Sequence, residues 1–393
     1  MKKYTFLLFF YLIIQTSFSQ KVELSVYSEV SIITVGPGEK LYESFGHSAI
    51  RIKDPVLNLD AIYNYGMFDF KAPNFILNFV KGRLLYKVVG YPFKYFIEGY
   101  QAEKRWMVEQ VLNLTQKEKQ QFFLYLQNNV KPKNATYLYD PYFNNCSTKM
   151  VDIANTVLKD AIIFSDSHLT EQVSYRQLMN REISWNTWGS FGIDLALGSK
   201  LDEIADQRGF TYLPDYALKA FDNASIKKGN QLKKAVKKEH LLLDFKEKKA
   251  KISFFNPFLI FSILTLIGLF ITYKDYKNSY RSKWLDFSIF FITGALGSLL
   301  VFLMFFTNHS TTPKNFNFLW AFAPNLLIAF LLLKEQPKKW IVKYVYFLLI
   351  LLIVIPVIWI SKTQLLPLSI LPFLILLFIR YLFLSKNLLT FKK

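Results

Sequence analysis

One cysteine, Cys146, and four histidines, His47, His168, His240 and His309, are the side chains whose chemistry stands out in this chain. A single cysteine forms no internal disulfide and no multi-cysteine zinc site. Two readings stay open for it: a reactive nucleophile, or a small buried apolar side chain. Cys146 follows the turn-forming stretch Tyr139-Asp140-Pro141-Tyr142-Phe143-Asn144-Asn145. It opens a segment in which Met150, Ile153, Ala154 and Val157 share one helical face, which predicts a helix from about Cys146 to Leu158. A thiol in that first turn would feel the positive end of the helix, which favours thiolate, and the N–H groups there can receive an oxyanion. A thiol enzyme also needs a base. His309 falls in a short loop between apolar runs, His240 in a Lys-rich segment, and His168 follows Ser165-Asp166-Ser167 as a loop or cap residue would. His47, in Ser44-Phe45-Gly46-His47-Ser48-Ala49-Ile50-Arg51-Ile52, opens a predicted strand beside a glycine and is the better partner. A structural histidine held by a backbone carbonyl is its alternative.

The elements that must position this pair lie between residues 20 and 226, a stretch of mixed polarity long enough for one sizeable core. It reads as one α/β (α+β) domain. Val22–Val35 looks like a strand region, with Ser48–Ile52 and Ala61–Tyr65 as two more. Lys104–Leu112 and Gln116–Asn128 have helical composition, and Thr115 with Glu118 forms a capping box at the start of the second. This part carries 22 basic and 23 acidic residues, a near-neutral balance that argues against a nucleic-acid face.

The rest of the chain is different in kind. Of the 393 residues 52% are hydrophobic and 18% aromatic, and the formal charge is +19, which points to a membrane protein. Lys2 and Lys3, the apolar run Tyr4–Ile14 and a polar stretch to about Ser19 have the pattern of an export signal, over residues 1–19. A short anchor that stays in place is the alternative reading. Residues 227–253 are read as a basic juxtamembrane linker, a solvated segment lying along an anionic membrane surface. Five apolar runs follow, at about 254–273, 285–306, 316–333, 340–360 and 364–384, each near the ~20 residues a helix needs to cross a bilayer. Alternate connections and the tail carry 4, 3 and 3 basic residues against 1 and 1 in the others. That bias suits a multi-pass protein of the bacterial cytoplasmic membrane with its C-terminus in the cytoplasm and residues 20–226 outside, in the periplasm. Asp286, near the end of one run, gives little support to ion conduction. Phe68, Phe70, Phe75, Phe79 and Phe96 belong to a crowded aromatic stretch, read either as core packing or as a lipid-contacting groove or membrane-dipping loop.

Several of these motifs together resemble a known family. A histidine in Gly46-His47-Ser48-Ala49, then Tyr63-Asn64-Tyr65-Gly66-Met67-Phe68-Asp69-Phe70, then Asn144-Asn145-Cys146-Ser147-Thr148 opening a helix, are similar to the Lnb N-terminal periplasmic domain family. Tyr175-Arg176, Trp188, Gly192-Ile193-Asp194-Leu195, Leu197-Gly198, Asp202 and Leu213-Pro214 fit as well, so the likeness spans about residues 22–225. The family takes its name from a bacterial lipoprotein N-acyltransferase, and its histidine-before-cysteine order is similar to permuted papain-like folds. The resemblance implies a permuted papain-like thiol-enzyme domain followed by a five-helix transmembrane region, acting on a membrane lipid or lipoprotein without a cofactor or metal. Cys146 would be the nucleophile and His47 the base. Asn64 or Asp69 would orient the imidazole, and Asn145 would donate to the oxyanion. Bland roles stand beside these: Asn64 as a turn residue, Asp69 as a surface charge, Asn145 as the helix cap. A thiol peptidase or amidase working on cell-wall peptides, and a non-catalytic envelope protein, are the rival functions.

Overall fold

The computed structural model describes residues 22–68, 71–247 and 252–390. The export signal read at 1–19, and Asp69, lie outside them. Ten strands are present among the described residues: β1 (Glu29–Val35), β2 (His47–Asp54), β3 (Leu59–Met67), β4 (Leu85–Pro92), β5 (Met107–Leu112), β6 (Thr136–Leu138), β7 (Ile162–Ile163), β8 (Ser225–Lys228), β9 (Gln231–Lys234) and β10 (Val236–Leu243). Seven form one sheet in the order β10-β5-β1-β2-β3-β4-β6, with every pairing antiparallel. β7, β8 and β9 form a smaller sheet.

The run Ser31-Ile32-Ile33-Thr34-Val35 shows no polar/apolar alternation because β1 is buried on both faces. On one face Ile32, Ile50, Ile52 and Tyr63 pack against Phe122 and Leu126 of the Gln116–Asn129 helix and against Met150, Ile153 and Ala154 of the Cys146–Leu158 helix. On the other, Ile33, Val35, Ala49 and Ile62 meet Phe93 and Phe96 of the Phe93–Glu103 helix. The Gln116–Asn129 helix starts on the expected capping box: Thr115 Oγ1 accepts from the Glu118 N–H, and the Glu118 carboxylate accepts from the Thr115 N–H at 2.6 Å.

Three expectations for the part before the membrane region need correction. Lys104–Leu112 is no helix; its second half is β5. Its polar residues have partners inside the fold, Glu109 on Arg51 at 3.1 Å and Gln110 on Glu239 at 3.1 Å, so helix-forming composition yields to tertiary pairing. The strand region at 22–35 begins only at Glu29, the residues before it making a turn in which Ser25 bonds to the Asp54 carboxylate. Residues 227–243 of the supposed linker 227–253 form the end of β8 and all of β9 and β10, with Ala235 buried and β10 closing the edge of the large sheet. A Lys-rich edge strand of this kind discourages pairing with another chain, and charge alone mistakes it for linker.

The membrane region contains four helices long and apolar enough to cross a bilayer, not five: Pro257–Lys277, Lys283–Phe305, Trp340–Ile360 and Leu368–Leu389. The run 316–333 is a short turn of helix at Phe316–Leu319 followed by an eight-residue helix at Asn325–Leu332, with Pro324 between them. Its two ends nevertheless lie far apart in the bundle. Asn315 and Asn317 donate to the Leu195 and Asp194 carbonyls at the domain end. At the other end the Leu332 and Lys334 carbonyls accept from Arg281. Buried Asp286 is paired with buried Arg380 at 2.7 Å, and so is Asp275, which makes both acids helix clamps.

Domain and bundle share one packed seam. Phe191 and Leu195 of the Trp188–Ala196 helix join the core of the membrane region, the Gly198 N–H donates to Thr311, and the Leu365 N–H donates to Asp202.

Candidate active site

His47 is the first residue of β2, and Asn64 sits on β3 with its side chain on the same sheet face as Ala49 and Ile62. Two glycines shape the approach. Gly46 turns into β2 at φ +78°, where a Cβ would fall 2.7 Å from the Val35 carbonyl oxygen. Gly66, at φ +89°, lies within the irregular pairing of β3 with β4, where an added Cβ would stand 3.7 Å from that of Cys146. The strand can therefore pass directly beside the thiol.

Asn64 Oδ1 is 2.7 Å from His47 Nε2. The Asn64 amide donates to Tyr91 Oη at 3.0 Å and to Met67 Sδ at 3.3 Å, which leaves Oδ1 as the acceptor. Nε2 then carries the proton, and Nδ1 is the nitrogen left for the sulfur. The ring sits beside Tyr100 and Phe96, with centroids 6.3 and 6.2 Å away.

Cys146 begins its helix, as the sequence predicts. Burial pushes its thiol up. The adjoining His47 charge and hydrogen bond, with the backbone N–H groups of Ser48 and Ser147, outweigh that and hold it below the ordinary thiol value. For His47, burial acts downward, but Cys146 and the hydrogen bond to Asn64 carry it above the usual histidine value against the pull of the Arg105 charge. Both shifts run in the direction that favours a thiolate–imidazolium pair.

Asn145 does not serve as an oxyanion donor. Its Oδ1 accepts from the Ser147 and Thr148 N–H groups at 2.9 Å each, while its amide donates to the Pro141 and Tyr212 carbonyls at 2.8 Å each. Of its two readings the helix cap is the one it fills. Asp69 lies outside the described residues, and the orienting position is occupied by Asn64. His240 is far from the pair, opposite Glu109 on β5. Among the described residues no group of three or more His, Cys, Asp or Glu side chains converges as a metal site.

The pair opens into a cleft of about 810 Å³ whose lining includes Phe79, Leu84, Tyr86, Tyr100 and Tyr139. That is the size and apolar character of a site for a small organic molecule or chain. One wall was invisible to sequence reasoning: Asn308, His309, Ser310 and Thr311, from the loop after the Lys283–Phe305 spanning helix. No local motif signals it, because its relation to Cys146 exists only through the fold.

Two family descriptions match the chain: the Lnb N-terminal periplasmic domain over residues 16–181 and the Lnb transmembrane domain over residues 249–393. The chain belongs to the Lnb family. No curated protein and no solved structure matches it. This Lnb protein is thus a membrane protein with a periplasmic N-terminal domain. His47, Asn64 and Cys146 all fall within the first matched region. The stretch 182–248, between the two matched regions, supplies the docking helix Trp188–Ala196 and the edge strand β10.

Removing the Asn64 carbonyl would free the imidazole to rotate and to lose its tautomer. Asn64→Ala is expected to slow acylation of Cys146 by about 100-fold, at the lower end of what general acid–base catalysis supplies, while Asn64→Asp recovers part of it. Single-turnover kinetics with a chromogenic ester would measure both, and equal rates in Asn64→Ala and the native protein would remove Asn64 from the orienting role.

Proposed function

We propose that this Lnb protein is a membrane-anchored thiol acyltransferase that carries an acyl chain from a lipid ester to an amine through a Cys146 thioester, the acceptor being the N-terminus of a lipoprotein. The observation that carries this reading is the His47 ring bonded to Asn64 and Cys146 at the floor of an apolar cleft walled partly by a membrane-region loop. An enzyme for soluble peptides gains nothing from such a wall.

The chemistry follows from the pair. The Cys146 thiolate attacks the ester carbonyl, forming a C–S bond and an oxyanion at the start of the helix, where backbone N–H groups and the helix dipole favour negative charge. Collapse breaks the ester C–O bond, and protonated His47 gives its proton to the departing glycerol oxygen. An amine then attacks the thioester while His47 accepts its proton, and the thiolate leaves as the amide forms. Transfer prevails over hydrolysis because the apolar walls exclude water. In the same reading the C-terminus is cytoplasmic: Arg281, Lys283 and Lys334 gather at the end of the bundle away from the periplasmic domain, as the positive-inside bias requires.

Mass spectrometry of lipoproteins from a deletion strain tests this reading. N-acylated termini should disappear, return with the native gene and stay absent with Cys146→Ala. Unchanged lipoproteins with altered muropeptides would replace the proposal by a peptidase or amidase. Full complementation by Cys146→Ala would leave only a non-catalytic role.

A further inference from the structure

Beside the cleft, the Phe75–Val80 helix buries none of its residues. Ile76 is 77% exposed and Leu77 50%, and Phe79 and Val80 are also turned outward. A cluster of this kind on a water-facing surface is a liability unless something apolar covers it. Its place in the fold says what does. The Lys81 carbonyl accepts from the Asn308 N–H at 2.8 Å, three residues past the end of the Lys283–Phe305 spanning helix, whose last residue Phe305 is itself exposed. A Cβ on Gly82 would lie 2.4 Å from the His309 nitrogen, so the two segments are in tight contact. The helix therefore sits at the level where the bundle leaves the bilayer. Lys81 and Arg83, both exposed, follow its C-terminal end where phosphate headgroups would be.

From this helix an aromatic ladder runs inward. Phe79 stacks on Phe75 (6.3 Å between centroids), Phe75 on Phe68 (6.1 Å), Phe68 meets Tyr86 (5.1 Å) and Tyr86 stacks on Tyr139 (4.4 Å). Tyr139 lines the cleft together with Cys146. Of the two readings of the aromatic stretch, Phe93 and Phe96 fulfil the core role, and Phe68, Phe75 and Phe79 do not.

We propose that the Phe75–Val80 helix inserts into the periplasmic leaflet of the membrane, and that the edge of the cleft at Phe79 is a lateral port through which one acyl chain of a bilayer glycerolipid slides along the ladder to Cys146. Insertion stands by itself; the port rests on the acyl-transfer reading. Ile76 and Leu77 do not line the cleft, which lets the surface be altered without touching the chemistry.

Two measurements on the full chain in phosphatidylethanolamine/phosphatidylglycerol nanodiscs decide the matter. With Cys146→Ser, a nitroxide on Ile76→Cys is expected to collide with oxygen and not with a water-soluble nickel chelate, as one on Phe270→Cys of the first spanning helix does. A label at Ile76→Cys that meets nickel as freely as one on Tyr95→Cys would overturn insertion. In the native-cysteine protein, the pair Ile76→Asp and Leu77→Asp should cut thioester formation from the bilayer lipid by about ten-fold or more, yet leave acylation by a soluble butyrate ester within about two-fold. Equal losses with both donors, or no loss with either, would sink the port. A native protein that takes neither donor would remove the acyl-transfer reading and the port with it, while the nitroxide still decides insertion.

Discussion

Cys146 will react with iodoacetamide at a lower pH than an ordinary thiol does, and His47→Ala will slow that reaction at pH 6 by about ten-fold or more. Two opposed influences set this expectation. Burial by itself raises the thiol, and the histidine charge with its hydrogen bond more than reverses that. Without the ring only the Ser48 and Ser147 N–H groups remain to offset burial, so the variant's thiol titrates higher and the thiolate fraction at pH 6 falls. The sign has a second consequence. At high pH both proteins hold thiolate, so their rates converge, whereas a general loss of access would depress the variant at every pH. Because His47 is shifted upward while Cys146 is shifted downward, both shifts favour the reactive ion pair, whose window would be bounded on the acid side by the thiol and on the alkaline side by the imidazole. Acylation by an ester should follow that bell, and parallel alkylation profiles for the two proteins would show that the ring does not ionise the sulfur.

The parts of this site that could be read from sequence are those whose chemistry is local. Asn145, the cap, and the periodic Met150, Ile153 and Ala154 define the helix start to the residue, because capping and amphipathic spacing act within a few positions. Gly46 before His47 marks the turn into β2 for the same reason. Asn64 was one of two candidates, and only the antiparallel register of β2 with β3 brings it to the ring. The errors share a cause. Glu109 and Gln110 look helical until Arg51 and Glu239 are placed beside them. The Lys-rich 227–243 stretch looks unstructured until β5 offers its edge. The loop at Asn308–Thr311 reads as a short connection, although it is a wall of the cleft. Each depends on a partner distant in sequence, which periodicity and charge cannot encode.

The largest effect on folding is expected at Arg176, away from the thiol. It is fully buried, with Nη1 on Asp194 at 2.8 Å and Nε on both Asp202 oxygens at 3.1 Å. Nη2 donates to the Leu197 and Gly198 carbonyls at 3.0 and 2.8 Å. This one side chain organises the segment from which Gly198 bonds to Thr311 of the cleft-wall loop and Asp202 bonds to Leu365 of the membrane region. Arg176→Leu leaves two buried carboxylates without their cation, a defect of about 3–5 kcal/mol. Hydrogen exchange at 194–202 should accelerate accordingly, and the loop at 308–311 should lose protection with it. The pH dependence separates this from simple loss of packing. Burial already raises both carboxyls above their ordinary values despite the pull of Arg176. A carboxyl whose folded value lies above its unfolded one favours the folded state when protonated, and that support is lost as pH rises through the folded value. Without the cation both values climb further, so the deficit of Arg176→Leu should be smaller at pH 5 than at pH 7.5. A deficit that stays level between those two pH values would mean that Arg176 contributes bulk and hydrogen bonds rather than charge.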